Sequence, residues 1–100
     1  MENRNLTIVF TKGGINELRK QLDVISTYCY NSDLFIEKII VTNNKYYKKS
    51  FLKLLAILQF RKIKTHIVAY SEDLLILNDE AEEALENLTQ EGKIELHFIK

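Results

Sequence analysis

The sequence has 100 residues, of which 46% are hydrophobic, and it carries 14 basic and 14 acidic residues. This length predicts one domain that spans residues 1–100, and the hydrophobic content is enough to build a core. Because the formal charges cancel, net charge gives no reason to expect indiscriminate binding to nucleic acid or to an anionic membrane. Any such binding must come from a local patch.

Cysteine content and hydropathy predict a cytoplasmic protein. The only cysteine, Cys29, has no partner for an intramolecular disulfide, and the first residues lack the apolar stretch of a signal peptide. The most apolar window, residues 51–60, is about half as long as a bilayer crossing requires. We therefore expect no membrane span.

The first half of the chain predicts a strand, a helix and a second strand. Residues 6–11 form a β-rich run that stops at two glycines, which suits a tight turn. Apolar residues then recur at spacings of three and four up to about Tyr30, which indicates an amphipathic helix. Residues 35–42 are rich in β-branched side chains and end at two asparagines, so they are predicted to form the second strand.

The second half repeats this alternation. Apolar residues at helical spacing predict a second helix from Lys48, and residues 65–70 predict a third strand that is covered on both faces. A third helix over residues 81–88 ends near a glycine, and residues 94–99 predict a fourth strand. Residues 74–77 are ambiguous, because they either continue the third strand or begin the third helix.

This order of elements predicts an α/β fold. We expect a three-layer sandwich with a mostly parallel four-stranded sheet, helices on both faces and right-handed crossovers. Ligands of such sheets bind at the carboxyl ends of the strands, which here are residues 11–14, 42–45 and 70–73. The first of these turns offers backbone amides and Lys12 to a phosphate, unless its glycines only make the turn.

Charged residues are unevenly distributed along the chain. Residues 45–64 contain seven of the fourteen basic residues and no acidic one, with four aromatic residues among them. Lysine and aromatic side chains together can hold a nucleic-acid backbone and stack on bases. The predicted DNA-binding residues are Lys45, Lys48, Lys49 and Lys53. The alternative is that Phe51 and Phe60 belong to the core and the lysines form a solvated helix face.

An acidic segment follows the basic one. Residues 72–91 hold eight of the fourteen acidic residues and no basic one, so the molecule is expected to be polarised. An acidic helix could bind a basic partner, including the basic segment of a second copy. Alternatively, these acids form a solvated helix exterior with some of them favouring its first turns.

Most other chemistries are not indicated by the sequence, and we predict no cofactor. No metal site is predicted, because His66 and His97 lie in strands far apart in sequence and have no carboxylate or cysteine at a recognised ligand spacing. Cys29 falls late in the first helix and is expected to be buried rather than nucleophilic. Ser71, beside Asp73, lacks both a nearby base and a nucleophile elbow.

Four segments, taken in their order and spacing, point to a known family. Residues 21–25 (QLDVI) followed by Tyr28-Cys29 look like a Q-L-x-A-L…Y-C helix, and residues 50–55 (SFLKLL) look like a G-L-x-x-L-L helix start. Residues 65–70 resemble a strand that precedes an L-D-R-L-x-R motif, and residues 82–99 resemble a helix, glycine and final strand. Together they resemble the catalytic domain of serine recombinases, the resolvase/invertase family, over nearly the whole chain.

The resemblance implies a degenerate catalytic pocket. In that family a serine after the first strand attacks a DNA phosphodiester, and arginines stabilise the phosphate charge. The serine position falls at Lys12, with Thr11 beside it, and an arginine position falls at Lys49. Of the L-D-R-L-x-R motif the aspartate remains, as Asp73, whereas apolar residues take the arginine positions. None of the three arginines in the sequence falls at a matching position.

We therefore expect a recombinase-like domain of a phage or mobile element that acts by binding rather than by catalysis. Its expected partners are DNA, a recombinase, or a second copy in a homodimer. The chain is expected to lack the long helix and DNA-binding domain that usually follow in the family. Two alternatives stay open: a divergent DNA-cleaving recombinase or nuclease that uses Thr11 or Ser71, and a small flavodoxin-like binding domain unrelated to recombination.

Overall fold

Strands and helices alternate along the whole described part of the chain. A computed structural model describes residues 5–42 and 47–100. The strands are β1 (Leu6–Thr11), β2 (Phe35–Val41), β3 (Thr65–Ala69) and β4 (Ile94–Phe98). The helices are α1 (Ile15–Asn31), α2 (Tyr47–Gln59) and α3 (Asp79–Gln90). Each predicted strand and helix is confirmed, with ends that differ by a residue or two.

The sheet is four-stranded, with the order β2-β1-β3-β4, and each pair of neighbouring strands is parallel. Two hydrophobic clusters show how the helices cover it. On one face α1 packs through Ile25 and Cys29 onto Val9 and Val68, and on the other face α2 and α3 pack onto Phe10 and its neighbours. The predicted α/β three-layer architecture, with helices on both faces of the sheet, is therefore confirmed.

The larger cluster is organised around Phe10, which is fully buried in β1. The Phe51 ring of α2 meets it edge-on, with ring centroids 5.4 Å apart, and Tyr47 stacks against Phe51 at 5.8 Å. Such aromatic pairs stabilise a core beyond the area they bury. Tyr47 and Phe51 are thus core residues, so the hypothesis that they stack on bases is wrong for these two rings.

The ambiguous segment, residues 74–77, belongs neither to β3 nor to α3. A short 3-10 turn, Glu72–Leu74, follows β3, and the chain then runs irregularly to α3. Leu74 and Leu75 are 5% and 0% exposed. Their apolar character therefore reflects packing into the core by a connecting segment, which is why periodicity could not assign them to an element.

Local signals explain both ends of α3. The Asn78 side chain accepts a hydrogen bond of 2.8 Å from the Ala81 amide, which satisfies one of the free donors at the helix start. Gly92, with φ of 75°, follows the last turn in the left-handed conformation that commonly ends a helix. Among the helices of residues 5–42 and 47–100, none has the length and apolar character needed to cross a membrane.

The outer strand β2 is the most exposed part of the sheet. Among residues 5–42 and 47–100, only its neighbour β1 pairs with it, and Ile36, Ile39 and Val41 are between 37% and 46% exposed. An edge strand of this kind has unpaired backbone groups on its outer side. The sequence predicted this strand correctly but gave no indication that it would form the edge.

Candidate functional site

The carboxyl ends of β1 and β3 flank a crevice. The connection after β1 leads to α1 on one face of the sheet, whereas the connection after β3 leads to α3 on the other face. Ligands of open parallel sheets bind at such a switch point. A cavity of about 390 Å³ lies at this edge. The residues that line it are Lys12, Thr42, Tyr47, Lys48, Asp73, Leu74 and Leu77. We call it the switch-point cavity.

Gln21 fixes the loop that presents Lys12. Its side chain is 5% exposed, and its amide meets the Lys12 backbone twice: the Lys12 amide donates to Oε1 at 3.0 Å and Nε2 donates to the Lys12 carbonyl at 2.6 Å. The next residue, Gly13, has φ of 132°, a conformation that L side chains rarely adopt. The loop backbone is therefore held in place while the lysine side chain remains exposed.

Tyr47 joins the first turn of α2 to the floor of the cavity. Its side chain is 8% exposed, and its hydroxyl donates to the Leu74 carbonyl at 2.5 Å. Burial raises the pKa of Tyr47 above its usual range, so the phenol stays neutral and keeps its proton for this hydrogen bond. Lys48 follows directly and extends into solvent at the rim.

Two hydroxyl groups near the cavity differ in their partners. The Ser71 hydroxyl donates to Asp73 Oδ1 at 2.5 Å. The Thr42 hydroxyl is buried and has no hydrogen-bond partner within the described residues, although Thr42 lines the cavity. Among the described residues, the buried Thr42 hydroxyl is therefore unsatisfied, whereas the Ser71 hydroxyl is paired with Asp73.

The structure brings some of the predicted site residues together and separates others. Lys12 and Asp73 both line the switch-point cavity, as does Lys48 rather than Lys49. Thr11 is fully buried and is not among the lining residues. The Thr11 hydroxyl also lacks a hydrogen-bond partner within the part of the chain that the structure describes.

The predicted DNA-binding lysines lie on α2, except for Lys45, which falls outside the described residues. Lys48, Lys49 and Lys53 are exposed, and no described carboxylate pairs with them. Arg61 differs, because its guanidinium binds Glu37 with a shortest distance of 2.6 Å. The unpaired cations of the basic segment thus include three on one helix.

A second polar cluster, which sequence reasoning missed, lies on the α1 face. The register of β3 and β4 pairs His66 with Glu95, and His97 lies two residues farther along β4 on the same side. His66 Nδ1 lies 3.0 Å from His97 Nε2, and Glu95 Oε2 lies 3.3 Å from the same His97 nitrogen. Tyr28 of α1 completes the group, with its hydroxyl 2.7 Å from His97 Nδ1. We call His66, Glu95 and His97 the histidine cluster.

Burial and charge act differently within this cluster. The pKa of His66 is lowered, mainly because burial disfavours the charged imidazolium. The pKa of Glu95 is also lowered, mainly because Lys64 donates a hydrogen bond of 2.9 Å to its carboxylate. At neutral pH the cluster therefore combines a neutral His66 with a charged Glu95. The signal in the sequence was the alternation of Glu95 and His97, but its meaning depends on the pairing with β3.

The comparisons with known proteins identify no relative. No protein family, no curated protein and no solved structure matches the chain. The chain is thus an α/β domain with a switch-point cavity and, on the α1 face, a histidine cluster. The resemblance to serine recombinases stays a prediction.

Proposed function

We propose that this protein is a non-catalytic domain that binds DNA through its phosphate backbone. The observation that carries the proposal is that Lys12 and Lys48, from different elements, line the same cavity at the switch point of the sheet. Lys49 and Lys53 extend the positive surface along α2. Lysine ammonium groups that neutralise phosphates supply most of the affinity of non-specific DNA binding.

The surroundings of the lysines favour an anionic ligand. Because Lys48, Lys49 and Lys53 have no ion-pair partner among the described residues, a phosphate need not displace a carboxylate from them. Asp73 also lines the cavity, and its repulsion disfavours a phosphate placed directly against it. We therefore place the DNA backbone on the Lys12 and Lys48 side.

The positions of the hydroxyl groups support binding rather than cleavage. A nucleophile must reach the phosphorus atom and needs a group that takes its proton. Thr11 is 0% exposed and does not line the cavity, and Ser71 directs its hydroxyl to Asp73. Neither hydroxyl is presented beside the lysines. The remaining positive charge can hold a phosphate without attacking it.

The wider setting remains part of the proposal. A cytoplasmic location, a phage or mobile-element context and an origin from a degenerate serine recombinase all agree with a DNA-binding domain that lacks a nucleophile. Binding to a recombinase or to a second copy also stays a prediction. Phosphate binding by the lysines requires none of these features, and a flavodoxin-like domain unrelated to recombination could bind DNA in the same way.

Retention of labelled duplex DNA, measured over a series of salt concentrations, tests the proposal. The wild-type protein is compared with a variant in which Lys48, Lys49 and Lys53 are replaced by glutamine. Each lost phosphate contact reduces the slope of log affinity against log salt by roughly 0.9, so we expect the slope to fall by about 2 to 3. The matched control changes Arg19, Lys20 and Lys93 to glutamine, which removes the same charge away from α2, and should leave the slope unchanged. Equal losses in the two variants, or no retention at low salt, would contradict the proposal.

Incubation with supercoiled plasmid separates binding from cleavage. The wild-type protein and Thr11→Ala are both expected to leave the plasmid intact, because Thr11 is buried away from the cavity. Metal-independent nicking by the wild type that disappears in Thr11→Ala would show that the domain is an enzyme. The DNA-retention experiment would then measure substrate binding instead.

A further inference from the structure

The histidine cluster gathers three metal-binding side chains at one point of the sheet. One ligand atom each from His66, Glu95 and His97 lies within 4.8 Å of the other two. The side chains come from neighbouring positions of two paired strands, so the sheet itself fixes their spacing. The cluster lies on the α1 face, away from the lysines of α2.

The distances suit a small metal ion. A tetrahedral zinc ion with bonds of about 2.0 to 2.1 Å keeps its ligand atoms roughly 3.3 Å apart. The two histidine nitrogens are 3.0 Å apart, and the Glu95 oxygen lies 3.3 Å from His97 Nε2. These two separations are close to the tetrahedral value, and an ion that replaces the proton shared between the two imidazoles would draw the Glu95 carboxylate towards it.

We propose that His66, Glu95 and His97 bind one divalent transition-metal ion of the zinc class. Two imidazole nitrogens and one carboxylate oxygen form a ligand set that favours zinc and its neighbours over magnesium and calcium, which prefer oxygen ligands. Three protein ligands leave a position for water. The site is independent of the proposed DNA binding.

Tyr28 positions one of the ligands. With a metal on Nε2, His97 carries its proton on Nδ1, which then donates to the Tyr28 hydroxyl 2.7 Å away. Histidine ligands in metal sites almost always make such a hydrogen bond through their second nitrogen, and it fixes the orientation of the ring. The Tyr28 and His97 rings also meet edge-on, with centroids 5.6 Å apart. Ion binding would thus fix His97 as the donor in the hydrogen bond that already joins α1 to β4.

Glu95 has one oxygen directed to each neighbour. Lys64 Nζ lies 2.9 Å from Oε1, whereas Oε2 faces His97. The ammonium group keeps the carboxylate ionised and oriented, but its charge also repels a cation. Both side chains of this pair are nearly half exposed, 48% for Lys64 and 46% for Glu95, so solvent weakens that repulsion. The same exposure gives an ion access to the cluster.

Calorimetric titration of the full chain with zinc tests the site. The protein carries no affinity tag and is first stripped of metal with a chelator. We expect one ion per chain with micromolar or tighter affinity, and a cobalt(II) complex with the visible absorption of four-coordinate nitrogen and oxygen ligation. Millimolar magnesium should not compete. The absence of zinc binding, or effective competition by magnesium, would overturn the proposal.

Two variants assign the ligands, and one serves as a control. Glu95→Gln keeps the shape of the side chain, and His97→Phe removes an imidazole. Each should weaken zinc binding by at least roughly a hundredfold, because removal of a residue that only supports a ligand already costs up to about that much. Glu91→Gln removes an exposed carboxylate outside the cluster and should bind like the wild type. Circular dichroism without zinc verifies folding. If His97→Phe does not fold, Glu95→Gln alone decides, and unchanged affinity in it would overturn the assignment.

The outcome is distinguishable from that of the DNA-binding test. The variant of Lys48, Lys49 and Lys53 should bind zinc like the wild type, because its substitutions lie on the opposite face of the sheet. Glu95→Gln should retain the salt dependence of DNA binding. Loss of both properties in either variant would contradict the independence of the two sites.

Discussion

The switch-point cavity and the histidine cluster are built in different ways. The cavity is formed where loops and helix starts meet at the carboxyl ends of the strands, and its charged side chains reach solvent. The histidine cluster is formed by side chains of two paired strands, and its members are half-buried. The side-chain positions in the switch-point cavity therefore depend on loop conformation, whereas those in the histidine cluster depend on strand register.

This difference has consequences for how each site responds to substitution. A loop can be displaced while the sheet remains intact, so the cavity can lose its geometry without loss of the fold. A strand ladder shifts only with the core packed against it, so the histidine cluster should keep its spacing for as long as β3 and β4 remain paired. Substitutions in the β1–α1 loop should therefore weaken DNA binding and leave zinc binding unchanged.

Gly13→Ala is expected to give the largest change in stability. Gly13 has φ of 132°, and an added Cβ would lie 2.8 Å from Glu17 Cγ and 2.9 Å from Glu17 Cβ. Backbone strain of this kind costs on the order of 1 to 3 kcal/mol. Because the added Cβ also collides with Glu17, we expect the unfolding free energy to fall by about 3 kcal/mol, the upper end of that range. Urea unfolding measures the loss, and DNA affinity should fall with it while zinc affinity stays constant.

Gly14→Ala is the matched control for this prediction. Gly14 has φ of −75°, and a Cβ placed there meets no atom within 4 Å. Alanine therefore fits there without a clash, and we expect a smaller loss of about 1 kcal/mol, because Gly14 is the N-cap of α1 and alanine is less favourable than glycine at that position. Similar losses in the two variants would show that the loop does not have the conformation described. The conclusion that loop conformation determines the geometry of the switch-point cavity would then be wrong.

Gln21→Met is expected to have a smaller effect on the same loop. Methionine nearly preserves the volume of the buried side chain but removes both hydrogen bonds to the Lys12 backbone. At about 1 kcal/mol for each net hydrogen bond, the unfolding free energy should fall by about 2 kcal/mol. Gln90→Met, at an exposed position of α3, should change it little. A Gln21→Met protein as stable as this control, with unchanged DNA affinity, would show that Gln21 does not position Lys12.

Much of the fold could be predicted from the sequence because its local signals agree with the packing. The β-rich run of β1, the glycines after it and the helical spacing of apolar residues in α1 each depend on nearby residues. Residues 74–77 could not be assigned, since Leu74 and Leu75 are apolar for a reason that lies elsewhere in the chain: they fill the core beneath α2 and α3. Local pattern and tertiary packing diverge there.

The candidate sites were predictable to different degrees. The rule that ligands bind at the carboxyl ends of parallel strands selected residues 11–14 and 70–73, and with them Lys12 and Asp73, which line the cavity. The resemblance placed a pocket residue at Lys49, but Lys48 lines the cavity instead, because one residue turns the side chain by about 100° around the helix. The histidine cluster could not be predicted in this way, because His66 and Glu95 become neighbours only through the β3–β4 register. A difference of one residue in that register would place them on opposite faces.

Tyr28→Phe tests the strand-built site with the smallest expected effect. Phenylalanine keeps the ring that packs against His97 but removes the hydroxyl 2.7 Å from His97 Nδ1. Loss of such a supporting hydrogen bond weakens metal affinity by about tenfold, which corresponds to about 1.4 kcal/mol. Tyr30→Phe is the matched control, because Tyr30 lies on the same helix and is 86% exposed. Zinc titration should separate the two variants, while DNA binding should remain the same in both. Equal zinc affinities would show that α1 does not support the site, which would then consist of the two strands alone.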